Sequence, residues 1–283
     1  MKTKSLAEIH AAVALFGLAG LFGKWLALSP LIIVLGRVAF ASLVLGMVLV
    51  FYRPAVKARR LRPADLVLFV LLGFILAVHW GAFFRSIQVS SVAVGLLSYA
   101  TFPLFTSVLE PVLNRERWEG RHLLLSLGCL VGVFLIIPRF EPGNAVFQGV
   151  CWGVVSGLAF SVLTVLNRRL TARHSAVGIA FFQDFFAGLF LLPFLFILKP
   201  TVTGRDVLLL AVLGVACTAL SHTLFIQGMK GQSARTASII SALEPVYGAV
   251  LALVFLAEVP SLRTIIGGAV IVGSTVAASL GER

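Results

Sequence analysis

An all-α polytopic membrane protein, ten transmembrane helices arranged as two inverted five-helix repeats, is the fold this sequence predicts. Three observations carry that expectation. Hydrophobic residues make up 59% of the 283 positions, charged residues only 12%, and the mean hydropathy is +1.05, which excludes an ordinary soluble fold. Apolar stretches of membrane-crossing length, roughly 20 residues each, recur ten times between short charged loops. Finally, the two halves echo each other at an offset of 142 residues, pairing Ser91 with Ser233, Pro103 with Pro245, Glu116 with Glu258 and Arg121 with Arg263. Five spans per copy is an odd number, so the second copy enters the membrane from the opposite side. That arrangement gives a pseudo-two-fold axis in the membrane plane and predicts a binding site at the midplane, between the halves.

The first repeat covers residues 1–140 and the second 141–283. Lys2 and Lys4 precede an apolar stretch as in a signal peptide, but the stretch at 6–28 is span-length and no small-x-small cleavage site follows. It reads as an uncleaved first span, rich in glycine at Gly17, Gly20 and Gly23. Span 2 (31–51) follows Pro30 and contains Arg37, and span 3 (64–84) contains His79 and Trp80. Span 4 (89–113) carries Ser91, Ser98, Tyr99, Phe102 and Pro103. Span 5 (121–138) has Gly128 and Gly132 at the G-x-x-x-G spacing of close helix contacts, a pattern also used in dimers. Span 6 (146–168) repeats that spacing at Gly149, Gly153 and Gly157. Span 7 (175–198) holds Gln183 and Asp184, span 8 (206–229) holds His222, span 9 (232–256) holds Ser241, Glu244 and Pro245, and span 10 covers 262–280. Ten spans consume about 200 residues, which leaves no room for a soluble catalytic or nucleic-acid-binding domain.

The net charge of +12 would point to nucleic acid in a soluble chain. Here the cations flank the spans. The N-terminus and every second loop hold 16 Lys and Arg, from Lys2 and Lys4 through Arg53–Arg62, Arg115–Arg121, Arg168–Arg173, Lys230 and Arg235 to Arg283. The other side holds six: Lys24, Arg85, Arg139, Lys199, Arg205 and Arg263. The positive-inside rule therefore places both termini in the cytoplasm.

Ionisable groups at membrane depth are the leading candidates for function. Glu244 lies near the centre of span 9, where a carboxylate must be paired, hydrated or protonated. Pro245 removes a backbone donor beside it and kinks the helix, freeing a carbonyl, and Pro103 is its symmetry mate. Both prolines read as gating positions. Ser233, Ala237, Ser241 and Glu244 follow helical spacing toward one face. In span 4, Ser91, Gly95, Ser98 and Phe102 form the matching stripe with Tyr99 adjacent, either a pocket wall or a small-residue helix interface. His79 plus 142 falls on Ser221, beside His222. Each histidine can bind a carboxylate, relay a proton or hydrogen-bond a neighbouring helix. Trp80 can stack on an aromatic or cationic substrate, or pack. Arg37 and Gln183-Asp184 read as buried polar anchors, with Arg37 snorkelling or structurally paired ahead of a substrate role in which its fork meets a carboxylate, and Lys24 as snorkelling too.

No H-E-x-x-H, nucleophile elbow or P-loop is present, so neither a metalloenzyme, a hydrolase nor ATP-driven pumping is supported. Cys129, Cys151 and Cys217 lie within spans without metal-ligand spacing and read as packing residues. Neither a cofactor nor a metal is implied. The expected partners are a small-molecule substrate and the lipid bilayer, not nucleic acid, and a monomer is sufficient by default.

Several segments resemble the ten-span, EamA-type branch of the drug/metabolite transporter superfamily. They are Phe16-Gly17, Trp152-Gly153, Pro30 through Arg37, Ser241-Ala242-Leu243-Glu244-Pro245-Val246, Glu258 and the glycines of span 10. The first half departs from that pattern: its equivalent segment reads Ser98-Tyr99-Ala100-Thr101-Phe102-Pro103, and a Leu-Glu-Pro comes later, at Leu109-Glu110-Pro111. The resemblance covers nearly the whole chain and is greatest to bacterial exporters of aromatic and other amino acids. It implies a secondary exporter of small metabolites by alternating access, with a site made by spans 1, 3, 4, 6, 8 and 9. Aromatic and other hydrophobic amino acids are the expected substrates, ahead of lipophilic cations or nucleosides. A channel and an intramembrane enzyme are the remaining readings.

Overall fold

The structure is a computed structural model that describes residues 2–51, 62–114, 128, 130–232, 234–241 and 243–280. Ser233, Glu116, Arg121 and Cys129 of the sequence reading lie outside the described residues. Among the described residues, all the regular structure is helical. The first half contains α1 (Lys2–Trp25), α2 (Pro30–Phe51), α3 (Pro63–Val89), α4 (Val92–Tyr99), α5 (Phe102–Asn114) and α6 (130–136). The second contains α7 (Ala145–Leu170), α8 (Ala176–Leu198), α9 (Gly204–Gly214), a π-helical turn (Val215–Leu220), α10 (Ser221–Gly228), α11 (Ala234–Ser241), α12 (Glu244–Leu256) and α13 (Leu262–Leu280). Among the described residues, seven apolar segments are long enough to cross a membrane, and Glu244–Leu256 and Leu262–Ser274 are shorter apolar helices. Leu43, Phe51, Phe74, Phe196 and Val254 stand exposed around the bundle, the surface of a chain whose backbone bonds are satisfied internally and whose solvent is lipid.

Local chemistry sets the helix starts. Pro30 and Pro63 open α2 and α3, where a missing N–H costs nothing. Asn144 Oδ1 accepts the N–H groups of Val146 and Phe147 at 3.0 and 3.1 Å, and Ser175 Oγ accepts that of Gly178 at 3.1 Å. Lys199 closes α8 in the left-handed region, at φ 41°, with Pro200 barring further helix.

Spans 4 and 9 are each two half-helices rather than one kinked helix. The break in span 4 falls at Ala100-Thr101, just ahead of Phe102-Pro103, and the break in span 9 falls before Glu244-Pro245. Proline disfavours helical backbone in the residue before it, so each proline starts the second half-helix instead of bending a continuous one. Under the 142-residue offset the bounds of α4 and α5 map onto those of α11 and α12 residue for residue. The packing follows the same exchange: α4 lies against α12, and α11 against α5.

Glycines allow this contact. A Cβ on Gly157 of α7 would sit 2.7 Å from the Tyr99 carbonyl oxygen. A Cβ on Gly17 of α1 would sit 3.3 Å from the Glu244 carbonyl oxygen and 2.9 Å from Tyr247 Cβ. The breaks in spans 4 and 9 are thus seated on the glycine faces of spans 6 and 1. Gly128 and Gly132 meet Ser274 and Ile271 of α13, so the span-5 spacing serves a contact inside the chain. Cys217 is buried but Cys151 is exposed on the bundle's outer face, so only the former packs internally. The main core joins α1, α2, α3, α7, α8 and α10, and a smaller one gathers Val94 and Leu97 with Val133, Ile136, Val150 and Ile271.

Candidate functional site

A cavity lies inside the bundle, walled by α1, α2, α3, α4, α7, α10 and α12. Its polar residues are Arg37, His79, Asn167, His222 and Glu244, and aromatic rings from Phe16, Trp80, Phe83, Tyr99, Phe160 and Phe225 supply most of the rest. Spans 1, 3, 4, 6, 8 and 9 all contribute, and span 2 adds Arg37.

Five of the pathway residues expected from the sequence reach this cavity, His79, Trp80, Tyr99, His222 and Glu244, and so does Arg37, which the sequence marked as a polar anchor. Glu244 opens α12, is 3% exposed, and leaves Oε2 without a hydrogen-bond partner, with Tyr99 lining the same cavity. His79 Nδ1 lies 3.0 Å from the Ser156 carbonyl oxygen and 2.9 Å from Ser156 Oγ. That engagement leaves Nε2 as the ring's second polar atom. The His79 ring packs on Tyr99 and Phe160, with centroids 5.5 and 5.1 Å away.

The other expected wall residues do not line the cavity. Ser91 caps α4, accepting the Val94 N–H at 3.1 Å. Ser98 is buried, donates its hydroxyl to the Val94 carbonyl and lies against Gly153. Ser241 donates to the Ala237 carbonyl at 3.0 Å. Phe102 is fully buried behind Tyr99 and Phe160. The stripes drawn from Ser91 to Phe102 and from Ser233 to Glu244 assumed unbroken helices. Because α4 ends at Tyr99 and α11 at Ser241, the periodicity does not carry across either break. Pro103 and Pro245 are each the second residue of a half-helix.

Arg37 does not snorkel. It is 1% exposed, donates Nε–H to Thr218 Oγ1 at 2.9 Å and Nη2–H to the Cys217 carbonyl at 3.1 Å, and lies 3.8 Å over the Trp80 ring. The π-helical turn presents these acceptors, since the Ser221 N–H reaches past Cys217 to the Ala216 carbonyl; such turns concentrate at functional sites. Asp184 is fully buried, with Oδ1 3.8 Å from His222 Nδ1, an ion-pair separation too long for a hydrogen bond. Gln183 donates to Asn167. An arginine mid-way along an apolar span, with an aspartate at comparable depth in span 7, was the available signal for this side of the cavity. Among the described residues no cluster of His, Cys, Asp and Glu is arranged to hold a metal.

At one end of the bundle, the Val92 N–H donates to Glu258 Oε1 at 2.8 Å, and Lys24 Nζ, exposed at that end, donates to the Ser90 carbonyl at 2.9 Å. Ala257, in the left-handed region at φ 52°, turns the chain between α12 and Glu258.

The sequence pattern of the EamA-like transporter family matches residues 6–137 and again 147–280. An uncharacterized transporter of Archaeoglobus fulgidus is 31% identical over 70% of this chain and 70% of its own. The uncharacterized inner membrane transporter YicL of Salmonella typhimurium is 25% identical over 99% of this chain and 96% of its own. The pseudopaline exporter CntI of Pseudomonas aeruginosa is 26% identical over 62% of each chain. A solved crystal structure superposes over 100% of this chain and 99% of its own with a TM-score of 0.75 at 21% identity, a likeness of fold.

Proposed function

This chain belongs to the EamA-like transporter family, and we propose that it is a secondary exporter of small metabolites working by alternating access, with aromatic and other hydrophobic amino acids as its substrates. That it is a multi-pass membrane protein with a transporter's role follows from the family and its relatives. The observation that supports the finer reading is the cavity itself. It is shared by both halves, is rich in aromatic rings, and carries a guanidinium from α2 and a carboxyl group from α12. Outward movement is supported by CntI, a relative named as an exporter. The charge asymmetry of the loops supports cytoplasmic termini in an inner membrane, and reporter fusions at each end test that orientation.

A second reading, export of lipophilic cations, draws on Glu244 among aromatic rings, a setting that attracts positive charge. Nucleosides could stack on the same rings. Counterflow of radiolabelled phenylalanine into proteoliposomes, competed with tryptophan, threonine, a nucleoside and a lipophilic cation, separates these. Saturable counterflow competed best by amino acids supports the first reading. A signal only with the cation or nucleoside moves the assignment to that class, and unsaturable conductance moves it to a channel.

A further inference from the structure

Arg37 is held without a directly paired carboxylate. Thr218 and Cys217 take two of its N–H groups and Trp80 covers one face of the guanidinium. All three partners are neutral. Among the described residues no carboxylate lies at ion-pair distance from it, and the nearby Asp184 is directed to His222. A guanidinium carries five N–H donors in a planar fork, so most of this one is unused while the residue is 1% exposed and lines the cavity. A buried cation needs an anion with good geometry. A carboxylate meets the fork with two parallel hydrogen bonds.

Glu244, contributed by the other repeat, supplies an independent observation. Its Oε2 has no partner, the side chain is 3% exposed, and it lines the same cavity. One site therefore offers a fixed cationic fork, an acidic group and aromatic walls. That combination suits a small molecule bearing a carboxylate, an ammonium and an apolar body.

We propose that Arg37 is the residue that reads the substrate's carboxylate, so that the transported class is carboxylate-bearing, zwitterionic amino acids rather than lipophilic cations or nucleosides. This rests on the transporter reading above and narrows it. Trp80, Thr218 and the π-helical turn fix the guanidinium plane, so the fork is in place before the ligand arrives.

The test uses three ligands of one shape against the purified full-length protein: phenylalanine, 3-phenylpropionate, which keeps the carboxylate, and phenethylamine, which keeps only the amine. In the wild type, phenylalanine binds best, 3-phenylpropionate competes and phenethylamine is weak. Arg37→Gln should weaken phenylalanine and 3-phenylpropionate by about 10- to 100-fold, the scale of a lost charged hydrogen-bond pair, and leave phenethylamine unchanged. Arg37→Lys should recover only part, because an ammonium has no fork. Phenethylamine competing as well as phenylalanine in the wild type overturns the proposal, and that result needs no variant to fold. Saturable flux of a nucleoside or lipophilic cation alone overturns it while leaving the transporter reading intact. No saturable flux of any ligand removes both.

Discussion

Gly157→Ala is a one-carbon change aimed at the seat of the span-4 break. The added Cβ would lie 2.7 Å from the Tyr99 carbonyl oxygen, 3.2 Å from Thr101 Oγ1 and 3.3 Å from the Phe102 nitrogen. The nearest of these is backbone in a turn tied by the Thr101 hydroxyl to the Ser98 carbonyl at 2.8 Å, so relief requires moving the break itself by several tenths of an ångström. Overpacking of this kind costs about 1–3 kcal/mol. With roughly 2–4 °C per kcal/mol for chains of 150–250 residues, the expected fall in Tm is about 2–12 °C. Gly81→Ala is the matched control. Its Cβ would meet only Leu31 Cδ2, at 3.5 Å, and alanine favours a helix over glycine by about 0.5–1 kcal/mol, so Tm should hold or rise. Tryptophan fluorescence during heating in detergent reads both variants. Counterflow on the same preparations should fall for Gly157→Ala, because Tyr99, at the displaced break, lines the cavity. A Gly157→Ala protein that melts with wild type and transports normally would refute the tight seating of the break.

Glu244→Gln and His79→Ala should each cut flux about tenfold or more, the effect of losing one charged hydrogen bond, while the protein inserts and stays monodisperse; normal flux in both removes them from the site. Pro103→Ala and Pro245→Ala should slow exchange more than they weaken binding, since both prolines begin half-helices outside direct cavity contact, and unchanged exchange rates would end the gating idea. Glu258→Ala removes the acceptor from the start of α4, an N-terminal contact worth about 0.5–2 kcal/mol. It should raise labelling of a cysteine placed at Ser90 by a membrane-impermeant maleimide, and equal labelling with and without Glu258 would show that the contact does not hold that end closed.

The spans, the repeat and the depth of the ionisable residues were legible in the sequence because hydropathy and spacing report them directly. Side-chain direction was less so. Ser98 and Ser241 sit on the expected helices, yet each gives its hydroxyl to a carbonyl one turn back, a local choice that residue spacing does not reveal. Arg37 was visible as an arginine within an apolar span, but its burial depends on a π-helical turn 180 residues away presenting Cys217 and Thr218. Nothing in Val215–Leu220 marks that turn, since its residues are compatible with an ordinary helix. Pro103 and Pro245 announced irregular backbone without saying whether it would be a kink or a clean break.

The exact match of α4 and α5 to α11 and α12 has a consequence for sidedness. Phe102 and Glu244 are each the first residue of their half-helix, and Tyr99 and Ser241 each the last of the preceding one. Two broken spans whose bounds coincide when the halves are exchanged give the two faces of the membrane equal standing at these breaks. Whatever favours one face over the other must then be written in the pairs that differ chemically, with Phe102 against Glu244 and Tyr99 against Ser241 foremost among them. Trading the members of such a pair leaves the scaffold as it is and moves the chemistry to the opposite limb, so these few positions act as weights on an otherwise level balance.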